Sequence, residues 1–131
     1  MVRLALNRFY ETVGRLLAEE KFESLLDAGC GEGIAIQKLK EKLPESVTGI
    51  DDNEDSLNYA REQCRWAEFS VGDLKRLPFP ENHFDAVLCL EVLEHIPDAD
   101  SALAELGRVC RRKAILSVPF EPWFRLGSLG R

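Results

Sequence analysis

The chain has 131 residues, of which 45% are hydrophobic and 31% are charged, and its formal net charge at pH 7 is −6. This composition is that of a single globular domain and argues against a disordered chain or a repeat architecture, while the acidic balance weighs against non-specific nucleic-acid binding. The longest apolar stretch, Ala86 to Leu93, is interrupted by Glu91 and is far shorter than the roughly 20 residues that span a bilayer.

The N-terminal segment predicts an amphipathic helix ahead of the core. Apolar side chains recur at helical spacing between Val2 and Glu19. No apolar signal core with a small-residue cleavage site is present, so we expect a cytoplasmic protein. We therefore assign residues 1–22 to this helix and its linker, within a single domain of residues 1–131.

A short apolar strand from Ser24 to Ala28 runs into a glycine-rich turn. The sequence LLDAGCGEG places Gly29, Gly31 and Gly33 at alternate positions. Glycine can take φ > 0, and without a Cβ it lets backbone N–H groups approach a ligand at the start of the next helix. The turn therefore predicts a cofactor site.

The residues around this turn distinguish between cofactors. The dinucleotide fingerprint G-x-G-x-x-G fails because Ile34 stands where its last glycine should be. The carboxylates of Asp27 and Glu32 favour a cationic ligand over a pyrophosphate. With its D-x-G-x-G-x-G pattern the chain resembles the class I S-adenosylmethionine-dependent methyltransferases. The resemblance implies that S-adenosyl-L-methionine lies along Asp27, Gly29, Cys30, Gly31 and Gly33.

Helices and strands alternate in the next part of the chain. A helix from Ile34 to Lys42 precedes a strand from Val47 to Ile50, Asp52 is expected to cap the next helix, and Ala67 to Val71 forms a third strand. Asp51 ends the second strand about 20 residues beyond the turn, where a carboxylate can accept hydrogen bonds from both ribose hydroxyls of an adenosine. The resemblance adds Asp52, at a position where the family commonly has an apolar residue against the adenine.

Two residues after the third strand are candidates for contact with adenine. The resemblance assigns the Asp73 carboxylate to the exocyclic amine and the Leu74 backbone to the side of the ring; a loop cap is the alternative role for Asp73. The segment LPFPENHFD, residues 77–85, is similar to that of methyltransferases acting on lipid quinones and related metabolites. The resemblance thus implies a small-molecule acceptor.

The fourth strand, Phe84 to Leu90, is a nearly continuous apolar run that predicts burial on both faces. After it, Glu91 is expected to face the positively charged groups of the cofactor, with a surface carboxylate as its alternative role. His95 is the candidate catalytic residue, because an imidazole with a pKa of about 6.5 can accept a proton from an acceptor hydroxyl or amine. Capping or packing is its alternative role.

The pattern E-x-x-E-H, from Glu91 to His95, is also similar to the metal-binding segment of small-RNA 2′-O-methyltransferases. Those enzymes hold a divalent ion with two glutamates and two histidines, whereas His83 here precedes the fourth strand. The net acidity also suits RNA poorly. A metal-dependent RNA enzyme stays an alternative, and we assign no metal ligand.

A helix from Asp98 to Val109 and a strand from Ala114 to Val118 complete the pattern. We expect a solvated, basic helix end formed by Arg108, Arg111, Arg112 and Lys113. Strands alternating with helices predict a three-layer α/β domain with a doubly wound, Rossmann-like parallel sheet of order 3-2-1-4-5. Ligands of such sheets bind at the carboxyl ends of the strands.

Residues 120–131 form a tail that includes Trp123, Phe124 and Leu126. The family that the chain resembles usually adds two further strands, so the fifth strand is expected to be an exposed edge. We expect the tail to fold back over its own sheet or to complete an interface with a second copy or a partner subunit. The runner-up function is a cofactor-binding subunit or remnant without independent activity.

Overall fold

The computed structural model describes residues 2–119 of the chain, with side chains from residue 8 onward. Its centre is a five-stranded parallel sheet in the order β3-β2-β1-β4-β5, as predicted. The strands are β1 (Ser24–Ala28), β2 (Ser46–Asp51), β3 (Glu68–Val71), β4 (Phe84–Leu90) and β5 (Cys110–Ser117). The α-helices are α1 (Val2–Ala18), α2 (Ile34–Lys38), α3 (Glu54–Gln63) and α4 (Ala99–Val109).

Two apolar cores lie on opposite faces of the sheet because successive strand residues point to opposite sides. Leu25 of β1 belongs to the core under α1, α2 and α3, with Val13, Ile36 and Leu57 from those helices. Leu26 belongs to the second core, which α4 shares with the connection between β3 and β4. The domain is therefore three-layered, and β1, paired with both β2 and β4, is its central strand.

Basic residues at the start of β5 fix α1 to the sheet. Lys113 Nζ donates to the Leu16 carbonyl at 3.1 Å and to Glu19 at 2.6 Å, and Arg112 donates to Glu20 at 2.7 Å. The prediction of a solvated helix end was wrong for these residues. The reason is that β5 begins at Cys110, four residues earlier than expected, because Cys110 already pairs with Phe84.

Local boundaries at α2 and α3 also differ from the sequence prediction. Helix α2 ends at Lys38 and a separate 3₁₀ turn covers Lys40–Lys42. Asn53 caps α3 in place of Asp52, because its side chain accepts a hydrogen bond from the Ser56 N–H at 3.0 Å. Asp52 is exposed at the end of β2.

Strand β5 has β4 as its one strand partner within residues 2–119, so it forms an edge of the described sheet. Leu116 of this strand is 42% exposed, and Val118, which follows the strand, is 57% exposed. The predicted role of residues 120–131 concerns residues outside the described part of the chain. Among the described helices, none combines the length and apolar character required to cross a membrane.

Candidate functional site

A cavity of about 460 Å³ opens at the carboxyl ends of β1, β2 and β3, beside the loop that follows β4. Its size is typical of small-molecule sites. Six residues singled out from the sequence line it, namely Gly29, Asp51, Asp52, Asp73, Leu74 and His95. Further lining comes from Val71, Gly72, Lys75, Val92, Ile96 and Pro97. The crossover topology therefore brings together residues that are far apart in the chain.

The glycine turn takes the left-handed backbone that its sequence predicts. The φ angles of Gly29, Gly31 and Gly33 are 78°, 53° and 83°. A Cβ on Gly29 would lie 2.6 Å from Val92, and one on Gly33 would lie 3.2 Å from Ala60, whereas a Cβ on Gly31 would meet no atom within 4 Å. Gly29 and Gly33 thus serve internal packing, and Gly31 leaves open space above the turn.

Most of the N–H groups in this turn already have partners. Those of Gly29 and Cys30 donate to the Ile50 carbonyl at 2.8 and 3.0 Å, and that of Gly31 donates to Asp51 at 2.8 Å. The expectation that these N–H groups face a ligand was wrong, because β2 uses them to hold the turn. A ligand can still approach the backbone of Gly31 closely, because the space next to this residue is open.

Asp51 joins the glycine turn to the end of β2. Its Oδ2 accepts from the Gly31 N–H at 2.8 Å, and its Oδ1 accepts from the Asn53 N–H at 2.9 Å. Each carboxylate oxygen has a second lone pair, so the group can accept further hydrogen bonds from a ligand in the cavity. Asp51 is therefore held in a fixed orientation at the cavity wall.

Asp27, in β1 two residues before Gly29, is 2% exposed and is not among the residues that line the cavity. Its Oδ2 has no hydrogen-bond partner among the described residues. Burial, with a smaller contribution from the charge of Asp51, raises the pKa of Asp27 from 3.8 to about 7. A buried carboxylate without a partner is a costly arrangement, and it suits a site that receives a positively charged group.

Asp73 and Leu74 form the wall that follows β3. The Asp73 Oδ1 accepts from the Lys75 N–H at 2.9 Å, and its carbonyl accepts from the Arg76 N–H at 3.0 Å. Leu74 is buried. Asp73 thus caps its own turn and also lines the cavity, so the two roles considered for it are compatible.

Glu91 and His95 lie differently with respect to the cavity. Glu91 is exposed and is not among the residues that line the cavity. Its backbone has φ 59°, and its N–H donates to the Ser117 carbonyl at 3.0 Å. The side chain of His95 is 77% exposed at the rim, with Nε2 3.4 Å from the Glu94 carboxylate. Of the two, only His95 is placed to meet a molecule in the cavity.

Sequence reasoning missed Val92, Ile96 and Pro97, which close the cavity on the β4 side. Their apolar character in a segment after a buried strand was the available signal. Burial chiefly raises the pKa of Tyr10 of α1, and the charges of Asp27 and Glu91 add to the shift.

Within residues 2–119 the structure contains no group of three or more His, Cys, Asp or Glu side chains arranged to hold a metal ion. Cys30, Cys64 and Cys89 are buried free thiols. Burial raises the pKa of the Cys30 thiol far above its ordinary value, which keeps the thiol protonated and argues against a nucleophilic role.

Comparison with known proteins relates the chain to one family. The family model described as "Methyltransferase domain" matches residues 26–118. A fatty-acid O-methyltransferase of Mycolicibacterium smegmatis is 36% identical over 112 residues, which cover 83% of this chain and 40% of that enzyme. The chain thus spans less than half the length of this relative.

Two solved structures share the fold. The [4+2]-cyclase SpnF superposes with a TM-score of 0.76 at 28% identity, covering 86% of this chain and 43% of that protein. Magnesium protoporphyrin IX methyltransferase from Synechocystis PCC 6803, solved with bound S-adenosylhomocysteine (SAH), superposes with a TM-score of 0.77 at 24% identity, covering 98% of this chain and 63% of that one. The second similarity concerns the fold alone.

Proposed function

The chain belongs to the class I S-adenosylmethionine-dependent methyltransferases, and we propose that it transfers the methyl group of S-adenosyl-L-methionine to a small organic acceptor. The cavity that gathers Gly29 of the glycine turn, Asp51 and Asp73 carries this proposal. The cofactor supplies an electrophilic methyl group on a sulfonium, and it also presents an ammonium group and an adenosine.

The chemistry of the site fits this cofactor. Asp51 is the acceptor for the ribose hydroxyls, and Asp73 is the acceptor for the adenine amine. Asp27, whose buried Oδ2 has no partner in the described chain, is the carboxylate that we assign to the cationic end, where it supplies negative charge when ionised. The open space above Gly31 allows the ligand to pass close to the backbone.

On the acceptor side of the reaction, the main requirement is to align the acceptor atom with the methyl group of the cofactor. Methyl transfer is an in-line displacement, and well-oriented reactants gain about 7–11 kcal/mol from proximity. His95, at the rim of the cavity, is the group we assign to accept a proton where the acceptor needs to lose one. A small-molecule acceptor is supported by the mycobacterial relative, whose name specifies fatty acids.

Calorimetric titration of the purified chain tests the cofactor assignment. We expect micromolar binding of S-adenosylmethionine and of SAH, and none of a nicotinamide dinucleotide. Preferential binding of the dinucleotide would contradict the proposal. The methyl-transfer step is then tested by following SAH release with candidate acceptors, first carboxylic acids and hydroquinones.

Asp51→Ala is expected to weaken SAH binding by about 10- to 100-fold, the range for loss of hydrogen bonds to a charged group. Wild-type protein should prefer SAH over its 2′-deoxyribose analogue, and the variant should lose that preference. Asp52→Ala is the matched control, since Asp52 also lines the cavity but is exposed. A retained preference in Asp51→Ala would contradict ribose recognition by this carboxylate.

A cofactor-binding subunit is the second candidate function. The observation that favours it is the edge strand β5, where Leu116 is exposed, as is Val118 just beyond the strand. A cyclase with the same fold also shows that this architecture serves other reactions. Micromolar SAH binding without methyl transfer to any acceptor tested would favour this second candidate.

A further inference from the structure

Glu105 and Arg108 of α4 form a hydrogen-bonded pair on the outer side of the second core. Arg108 Nε donates to Glu105 Oε2 at 2.6 Å and Nη2 donates to Oε1 at 3.1 Å, a two-point contact. The hydrogen bonds from Arg108 are the main reason that the pKa of Glu105 lies below its ordinary value. Their side chains are 20% and 31% exposed, so solvent is partly excluded from the pair.

The pair also holds the backbone of the connection between β3 and β4. Glu105 Oε1 accepts from the Leu77 N–H at 2.9 Å. Arg108 donates to the Leu77 carbonyl at 3.0 Å and to the Phe79 carbonyl at 2.8 Å. Three backbone groups within residues 77–79 are thus bound by two side chains of one helix.

This connection carries a wall of the proposed cofactor site. Leu77 follows the turn in which the Arg76 N–H donates to the Asp73 carbonyl, so its backbone is close along the chain to Asp73 and Leu74. The opposite wall includes Ile96 and Pro97, directly before the Asp98 cap of α4. Helix α4 is therefore connected to both walls. The wall with Ile96 and Pro97 leads directly into its N-terminus, and the wall after β3 is held through Glu105 and Arg108.

We propose that Glu105 and Arg108 are positioning residues that fix Asp73 and Leu74 at the spacing required to recognise adenine. The inference rests on the proposed function, because it assigns a role to the cofactor site of a methyltransferase. Neither side chain lines the cavity. They act through the backbone of residues 77–79, and rigid support of this kind sets how well a binding group is placed.

The preference of the protein for adenine over hypoxanthine can be measured, and a general loss of stability does not change this preference. The Asp73 carboxylate can accept from the amine of adenine, whereas the corresponding carbonyl of hypoxanthine would be repelled. The ratio of affinities for SAH and S-inosylhomocysteine therefore reports the position of Asp73. A substitution that only lowers the folded fraction of the protein lowers the apparent affinity for both ligands by the same factor.

The test compares Arg108→Met with Arg112→Met by calorimetry. Arg112 is matched because it also donates to a carbonyl, that of Lys21 at 2.9 Å, and to a carboxylate, that of Glu20, but away from the cavity. We expect Arg108→Met to weaken SAH binding by about 10-fold and to lower the adenine preference by about fivefold, as for a misplaced polar contact. Arg112→Met should leave the preference unchanged.

Arg108→Lys is the second variant, since lysine retains charge but lacks the planar fork that reaches two carbonyls. Its adenine preference should lie between those of the wild type and Arg108→Met. A wild-type preference in both Arg108 variants would overturn the positioning role. Absence of SAH binding by the wild-type chain would instead refute the proposed function, so the two failures are distinguishable.

Discussion

Gly31→Val is expected to reduce the affinity for SAH by about 100-fold, or about 2.7 kcal/mol, while the domain stays folded. A Cβ at Gly31 meets no atom of the chain within 4 Å, so the valine side chain occupies space that the ligand would use. The φ of 53° adds strain, which we expect to cost about 1–2 kcal/mol of stability for a residue with a side chain. Calorimetry and thermal unfolding measure the two effects separately.

Gly107→Val is the matched control for this substitution. A Cβ at Gly107 also meets no atom within 4 Å, but the residue lies on α4, away from the glycine turn. Its SAH affinity should equal that of the wild type. Equal affinities in Gly31→Val and Gly107→Val would show that the ligand does not pass over the glycine turn.

Asp27→Asn is expected to stabilise the ligand-free domain near pH 8. Burial raises the pKa of Asp27 from 3.8 to about 7, which corresponds to about 4 kcal/mol of destabilisation when the group is ionised. An asparagine amide without a full set of partners costs about 1–3 kcal/mol, so a net gain of about 1–3 kcal/mol is expected. Urea unfolding measures the free energy directly.

The pH dependence gives a second readout for Asp27. As pH rises from about 4 to about 7 the unfolded chain releases the Asp27 proton while the folded chain retains it, so the contribution of this group to stability falls. Above about pH 7 its cost is complete. Asp27→Asn should therefore gain more stability at about pH 8 than at about pH 5. A gain that is equal at both pH values would contradict the buried, ionising carboxylate.

Asp85→Asn is the control for Asp27→Asn, because Asp85 is also buried but has partners. It accepts from the Glu23 N–H at 2.8 Å and lies 3.6 Å from Arg111. Its replacement should destabilise the domain at both pH values. Asp27→Asn should at the same time weaken the binding of S-adenosylmethionine, since a charge that is costly in the free domain favours a cationic ligand.

The framework of the site followed from local patterns. The apolar run of β1 ends at three alternating glycines, which adopt φ angles of 53° to 83° without the strain that a side chain would add. Strand β4 reads as buried on both faces and is so. Since crossovers between parallel strands are right-handed and strand ends meet at one edge, these patterns sufficed to place Asp51 and Asp73 in one cavity.

The sequence alone thus determined the strands, their order and the carboxylates at the strand ends. These features depend on hydrophobic periodicity and on short-range backbone chemistry. The tertiary structure decided which groups remain free for a ligand, because the partners of a polar group come from distant parts of the chain. The Asp51 carboxylate, 20 residues further along the chain, accepts the hydrogen bond of the Gly31 N–H. Ser117 holds the Glu91 backbone outside the cavity, and Arg108 reaches back to residues 77–79. No local pattern encodes these contacts.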